Sequence, residues 1–178
     1  QVEALKNMVN DFRDYARTPP PQLQVVNLHA LLTDLLALYD NTATKIAVSP
    51  APTLQQINMN VIADPNQLRQ VLHNLFANAQ DALINVAQPR IDIQITLEEK
   101  RLCLTMRDNG PGFAPQLLAR AFEPYVTTKT KGTGLGLAIV KKIIEDHGGD
   151  IRLSNHADGG GLVRLWLLTA TEENKDLG

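Results

Sequence analysis

Three side chains with oxygen-bearing ends recur along one stretch of this sequence: Asn74, Asn78 and Asp81, at spacings of four and three residues. Read as a helix of about 3.6 residues per turn, the segment 67–82 places them on one polar stripe. Leu68, Val71, Leu72, Leu75, Phe76, Ala79 and Leu83 then form a separate, broad apolar face. Two amides and a carboxylate so placed could serve a hard cation that is also bound to phosphates. The plainer alternative is a solvated surface stripe.

Two further clusters bear on that choice. Gly132, Gly134 and Gly136 open an apolar helical pattern, with Thr127, Thr128, Thr133, Lys129 and Lys131 alongside. Backbone N–H groups at a helix start, with roughly half a positive charge from the helix dipole, make a phosphate cradle. Alone the signal is weak. No Gly-Lys-Ser/Thr follows, so it is not a P-loop, and neither the glycine spacing nor the surrounding pattern fits a dinucleotide fingerprint. The second cluster is Asp108-Asn109-Gly110-Pro111-Gly112, at the end of an alternating strand. Alone it reads as an ordinary strand-exit turn. Its carboxylate could also accept a hydrogen bond from an exocyclic amine such as that of adenine, while Gly110 and Gly112 leave room for a flat ring. Taken together, phosphates, cation and base are each provided for in one order along the chain.

The elements that must position these groups can be read from periodicity. Residues 1–17 form a helix with the heptad-like seam Leu5, Met8, Phe12 and Tyr15, ended by Thr18-Pro19-Pro20-Pro21. It opens without a cap, as if cut from a longer helix, and pairing with another helix in a dimer is the expected use of the seam. A short strand, Val25–Asn27, precedes a helix carrying Leu28, Leu31, Leu32, Leu35, Leu36 and Tyr39, with Asn27 as its cap. Ile46–Val48 reads as an edge strand and Leu54–Asn60 as a strand. Asp64, Pro65 and Gln67 carry the start signals of a capping box for the asparagine helix, which is expected to reach about Val86. Ile91 to Leu97 and Leu102 to Met106 alternate about a turn at Glu98–Arg101 and form a hairpin. Leu117–Phe122 is a short helical piece, and 126–133 lacks apolar periodicity and reads as a mobile loop. Leu137, Ile139, Val140, Ile143 and Ile144 define a helix closed by His147-Gly148-Gly149. Strands Ile151–Ser154 and Leu162–Leu168 flank the turn Gly159-Gly160-Gly161, and a polar tail follows. The fold class is α+β: a two-layer α/β sandwich, one mixed sheet with helices on one face. The boundaries are a helical piece at 1–18, a linker at 19–26, the main domain at 27–170 and a tail at 171–178.

Composition narrows the classes. The chain has 178 residues and a formal net charge of -2, which gives no sign of nucleic-acid binding. The single cysteine, Cys103, excludes an internal disulfide and lies in an apolar run, where a buried inert thiol is expected. No apolar run is long enough to span a bilayer, so no direct membrane contact is expected.

The constellation resembles the sensor histidine kinases of two-component systems. Asn74-Leu-Phe-Ala-Asn78-Ala-Gln-Asp81-Ala is similar to their N box, Asp108-Asn-Gly-Pro-Gly112 to the first glycine box, Phe122-Glu-Pro-Tyr125 to the F box, and Gly132-Thr-Gly-Leu-Gly-Leu137 to the second glycine box. The four motifs stand in the family's order, within residues 64–168. The resemblance implies the Bergerat-type ATP-binding sandwich shared with gyrase and heat-shock chaperone ATPases. It implies Asn78 and Asn74 at magnesium, Asp108 on adenine, and the 126–136 segment as the ATP lid, with Asp81, Gly110, Gly112, Tyr125, Thr127, Thr128, Lys129, Lys131, Gly132, Thr133, Gly134, Leu135, Gly136 and Leu137 lining the nucleotide. Asn78 and Lys129 would be the catalytic pair. Met8-Val-Asn-Asp-Phe12 through Arg17 also resembles the end of the dimerisation helix of nitrogen-regulation kinases of the NtrY/NtrB type. By resemblance the partners are the kinase's own dimerisation and histidine helices, a second copy, and a response regulator receiver domain; the location is a cytoplasmic domain of a membrane-anchored sensor.

Two departures shape the expectation. None of His29, His73, His147 and His156 stands in the family's phosphoacceptor motif, so the acceptor is expected on a helix absent from this chain. Several family members carry a basic residue at the position of Asp81, so phosphate charge must be met by Lys129, Lys131 or the backbone. A hydrolytic ATPase and a non-catalytic nucleotide-binding module are the alternatives. The first needs a glutamate where Asn74 stands, and Asn74 cannot act as a base.

Overall fold

The computed structural model describes residues 1–40, 43–50, 59–127 and 134–170. Along the chain the elements are α1 (Val2–Ala16), β1 (Gln24–Asn27), α2 (Leu28–Leu36) with a 3-10 turn over Ala37–Tyr39, β2 (Lys45–Pro50), β3 (Asn60–Ala63) and α3 (Pro65–Ala82). There follow β4 (Arg90–Glu98), β5 (Arg101–Asp108), α4 (Pro115–Leu118), α5 (Gly136–Asp146), β6 (Asp150–Asn155) and β7 (Gly161–Leu168). Most of the expected strand Leu54–Asn60 lies outside the described residues, as does the tail.

A five-stranded mixed sheet runs in the order β2-β4-β5-β7-β6. Strict alternation in β4 puts Ile91, Ile93 and Ile95 on the core face, opposite Asp108, Met106 and Leu104 of β5. β2 pairs in parallel with β4 at the sheet edge, so the short apolar run Ile46–Val48 is an edge strand as its pattern indicates. β1 and β3 form a separate two-stranded antiparallel ribbon, tied to the end of β7 by the bridge between Val61 and Thr169. The single mixed sheet expected from the sequence is therefore a sheet plus a ribbon.

α2, α3 and α5 bury their apolar stripes in one core with the sheet. On α3 the buried positions are Leu68, Val71, Leu72, Leu75, Phe76 and Ala79. Each large side chain so buried contributes roughly 1.5–3 kcal/mol. Tyr39 stacks on Phe76 at 5.4 Å between ring centroids, which carries the α2 stripe one turn past the regular helix. α3 ends at Ala82, short of the expected Val86, because Leu83 and Val86 bond back as tight turns to Gln80 and Leu83. α4 is likewise offset from the expected 117–122, since Pro115 supplies a ready-made first helical position.

The start of α3 departs from a capping box in an informative way. Asp64 Oδ1 accepts from the N–H groups of Asn66 (3.0 Å) and Gln67 (3.2 Å), as a cap should. Gln67 does not reciprocate. Its Nε2 donates to the Pro19 carbonyl at 2.9 Å, pulling the linker onto the helix. The Asp64 N–H goes instead to Nε2 of His147 at 3.0 Å, and the Nδ1–H of that ring donates to the Ile143 carbonyl at 2.7 Å. His147, 4% exposed, thus joins the C-terminus of α5 to the N-terminus of α3. Asp64 Oδ2 accepts from Gln22 N–H at 3.0 Å, and Gln70 Nε2 donates to Asp14 Oδ2 of α1 at 3.2 Å.

Burial alone would raise the Asp64 pKa, but the backbone donors of Gln22, Gln67 and Asn66, with the His147 ring nearby, outweigh it and hold the carboxyl below its usual range. A depressed folded pKa stabilises above the unfolded value, about 3.9, and that stabilisation is lost as pH falls through the folded value. Asp64→Asn leaves the Gln22 N–H without its acceptor and is expected to cost about 1–3 kcal/mol at neutral pH. In urea titrations the gap to wild type should close as the pH falls below about 4; a gap constant with pH would contradict this account.

Candidate functional site

The asparagine stripe of α3 faces away from the core because the apolar stripe faces into it. Asn74 and Asn78 are half-buried and Asp81 is exposed near the helix end. Asn74 Nδ2 reaches the Gly136 carbonyl in a long bond of 3.5 Å. The first turn of α5 therefore sits beside the amide stripe, which brings together two motifs separated by 62 residues. Among the described residues no side chain caps α5 at its first turn, and its leading N–H groups point beyond the helix end.

At the other end of α3 stands the strand-exit turn. Asp108 closes β5 on its core side and is 8% exposed. Its Oδ1 accepts from Gly110 N–H at 2.9 Å and Gly161 N–H at 3.2 Å. Gly110 lies so close to the end of α3 that a Cβ there would be 2.7 Å from the Ala82 carbonyl oxygen. Asn109 holds the turn from outside: its Oδ1 accepts from Arg90 N–H at 2.7 Å and its Nδ2 donates to the Gln88 carbonyl at 2.8 Å. Gly110, bonded to Asp108, thus sits against the C-terminal end of α3, and Gly136 sits beside Asn74 on the same helix.

The segment between α4 and α5 closes on itself at its base. Tyr125 N–H donates to the Gly134 carbonyl at 2.9 Å. Both residues are left-handed, Tyr125 at φ 65 and Gly134 at φ 72. The Gly134 conformation, with Tyr125 backbone packed where a Cβ would stand, requires glycine. Tyr125 is 63% exposed and Thr127 is exposed, while Leu135 is 1% exposed and anchors the entry to α5. Gly136 is the first residue of α5, and Leu137 packs against the core. Thr128, Lys129, Lys131, Gly132 and Thr133 lie outside the described residues. Gly112, at φ 80, sits on the far side of the strand-exit turn.

This arrangement of helix, turn and glycine-led helix start has counterparts. The family model of histidine kinase-, DNA gyrase B- and HSP90-like ATPases matches residues 63–171. The chain belongs to this family. An NtrY-like sensor histidine kinase of Rickettsia bellii is 35% identical over 90% of this chain and 26% of its own length. The sensor histidine kinase ZraS of Salmonella typhi is 35% identical over 94% of this chain and 36% of its own length. The chain thus spans about a quarter to a third of the curated relatives it matches. Among solved structures, the catalytic domain of histidine kinase ThkA superposes with a TM-score of 0.71 at 30% identity, covering 85% of this chain and 98% of that one. Full-length ShkA in complex with AMPPNP gives 0.74 at 28% identity, over 94% of this chain and 36% of that one. This member is an ATP-binding catalytic domain of the sensor histidine kinase kind.

Among the described residues no cluster of three or more His, Cys, Asp or Glu could hold a metal by itself. The donor set near α5 is amide rather than carboxylate, which suits a cation that arrives already bound to phosphates. Asn155 had no motif to mark it, and the tertiary bonds of Asn109 and His147 were not visible in the turn and helix-end motifs that contain them. Their signal is purely spatial, since each acts on an element distant in sequence.

Gly110→Ala tests how tightly the turn is seated on α3. Its Cβ would also lie 3.0 Å from Asp108 Oδ1. Overpacking of this kind is expected to cost about 1–3 kcal/mol in thermal unfolding and to weaken binding of an ATP analogue. Unchanged stability and affinity would show that the turn can retreat from the helix.

Proposed function

We propose that this chain binds magnesium–ATP and passes the γ-phosphoryl group to a histidine on a dimerisation helix outside this sequence, for relay to an aspartate of a response regulator. The observation that carries the reading is the approach of Asn74 to Gly136, which sets the amide stripe against a helix start that no described side chain caps. Asn78, one turn along the same stripe, is the principal magnesium ligand, with Asn74 beside it. Because Asn74 spends its NH2 group on the Gly136 carbonyl, its oxygen is the atom that remains for a hard cation. Bound magnesium would neutralise phosphate charge; the leading N–H groups of α5, with Lys129 and Lys131, meet the remainder.

Asp108 reads the base. With Oδ1 engaged by two backbone donors, the carboxylate is fixed in plane, and Oδ2 is the acceptor for the adenine amine. Phosphoryl transfer needs positioning and charge neutralisation more than covalent work by the protein. The residue one turn before Asn78 is an amide, which does not activate water; this favours transfer over hydrolysis.

In this reading residues 1–18 are the end of the dimerisation helical domain, 19–26 the linker, 27–170 the catalytic domain and 171–178 a tail. Leu5, Met8 and Phe12 are 61%, 52% and 54% exposed on α1, a stripe suited to a second copy in a homodimer. Among the described residues no helix is long and apolar enough to cross a membrane. The domain is proposed to work in the cytoplasm, attached to a membrane-anchored sensor.

Titration with a non-hydrolysable ATP analogue, with and without magnesium, tests the site, and a phosphorylation assay with added dimerisation helices tests the transfer. Asn78→Ala should weaken magnesium-dependent binding by about tenfold or more and leave magnesium-free binding nearly unchanged; equal affinity in the variant removes Asn78 from the metal. Asp108→Asn should cut adenine preference over guanine by about tenfold to a hundredfold. A parallel loss for both bases would argue against direct reading.

A further inference from the structure

The turn that carries the base-reading groups is gripped by a residue that no motif marks. Asn155 is the last residue of β6 and pairs across the hairpin with Gly161. Its Oδ1 accepts from Phe113 N–H at 2.7 Å, and its Nδ2 donates to the Phe113 carbonyl at 2.8 Å. One side-chain amide thus satisfies both polar groups of one backbone residue. Gly112 is pressed against the same amide: a Cβ there would stand 2.8 Å from Asn155 Oδ1.

The β6–β7 hairpin that presents Asn155 also touches Asp108. Gly161 N–H donates to Asp108 Oδ1 at 3.2 Å, and a Cβ at Gly161 would lie 2.7 Å from Asp108 Oδ2 and 3.1 Å from the Phe113 ring. Gly160 packs directly on the Asp108 carbonyl. The contacts close a ring: from Asp108 along the turn to Phe113, across the Asn155 amide to the hairpin, and through Gly161 back to the Asp108 carboxylate. A ring of this kind fixes the carboxylate and the exit of the turn relative to each other. Asn155 is itself exposed, so truncating it leaves no cavity in the core.

We propose that Asn155 is a positioning residue for base recognition, holding residues 110–113 so that Asp108 meets an adenine ring in one fixed geometry. This rests on the reading of Asp108 as the base-binding carboxylate. Asn109 anchors the beginning of the same turn, so loss of Asn155 frees its end alone.

The test uses the 178-residue chain with Asn155→Ala, Asn155→Asp and Asp108→Asn. Non-hydrolysable adenosine and guanosine triphosphates are titrated against each, and thermal midpoints are recorded without nucleotide. Asn155→Ala should weaken adenine nucleotide binding about fivefold to fiftyfold, with little change for guanine nucleotide. Its thermal midpoint should move by less than about 4 °C. Asn155→Asp keeps the shape and the acceptor but sets an anion against the Phe113 carbonyl, so it should lose adenine preference alongside the alanine variant. Undiminished preference in both Asn155 variants, while Asp108→Asn loses it, overturns the positioning role alone. Equal loss for both nucleotides, or a larger fall in thermal midpoint, also overturns it, because the residue would then be supporting the fold. Preserved preference in Asp108→Asn overturns the base reading and this proposal with it.

Discussion

The rotational setting of α3 about its own axis is the constraint on which the site depends. A helix with six apolar positions buried against a sheet cannot turn without exposing them, and each large one resists by roughly 1.5–3 kcal/mol. The asparagines are aimed by the apolar side chains on the opposite face of the helix. The two ends are then secured by different means. At the N-terminus Asp64 binds the linker, the first turn and, through its N–H, the end of α5. At the C-terminus Gly110 lies where any side chain would strike the Ala82 carbonyl.

Asp108 shows the same economy at the strand-exit turn. A carboxylate at 8% exposure is costly unless its oxygens find donors. Two backbone N–H groups supply them to a single oxygen. That leaves the group anchored without consuming its whole acceptor capacity. The close passage of Gly160 and Gly161 is what brings a donor near enough. A side chain at either position would separate the hairpin from the strand end. The surroundings of Asp108 are therefore assembled from two hairpins, β4–β5 and β6–β7, which meet in backbone contacts at Gly160 and Gly161.

Much of this was legible in the sequence, and the boundary of legibility is physical. Periodicity reports burial, so the apolar face of α3, the alternation of β4 and β5 and the stripe of α5 were readable from residues alone. Caps report local geometry, so Asn27 and Asp64 were readable as helix starts; both accept backbone N–H groups in the fold. What periodicity and caps cannot report is a bond between distant segments. Gln67 stood at the capping-box position, but its Nε2 donates to Pro19 and the Asp64 N–H is taken by His147. His147 looked like part of a helix-ending motif and proves to be the acceptor for that N–H, 83 residues away in sequence. Asn155 lay in an unremarkable strand end. The separation of β1 and β3 into a ribbon was equally out of reach, since strand partners depend on the whole topology.

The start of α5 carries the last step of the argument. α2 and α3 begin with Asn27 and Asp64, side chains that accept from the first turn and are worth about 1 kcal/mol each. α5 has Leu135 at its N-cap position, buried and with a side chain that offers no acceptor. Among the described residues two core helices have side-chain caps and α5 has none at the end that lies beside Asn74. A serine or aspartate at position 135 would supply the acceptor and surrender the apolar anchor. It would also occupy the space in front of the N–H groups with an oxygen of its own. An incoming phosphate would then have to displace that oxygen, and with an aspartate it would meet a like charge. In the proposed reading the weak helix start and the phosphate site are thus the same choice of residue, and nucleotide binding to the folded state would restore the stability forgone at Leu135.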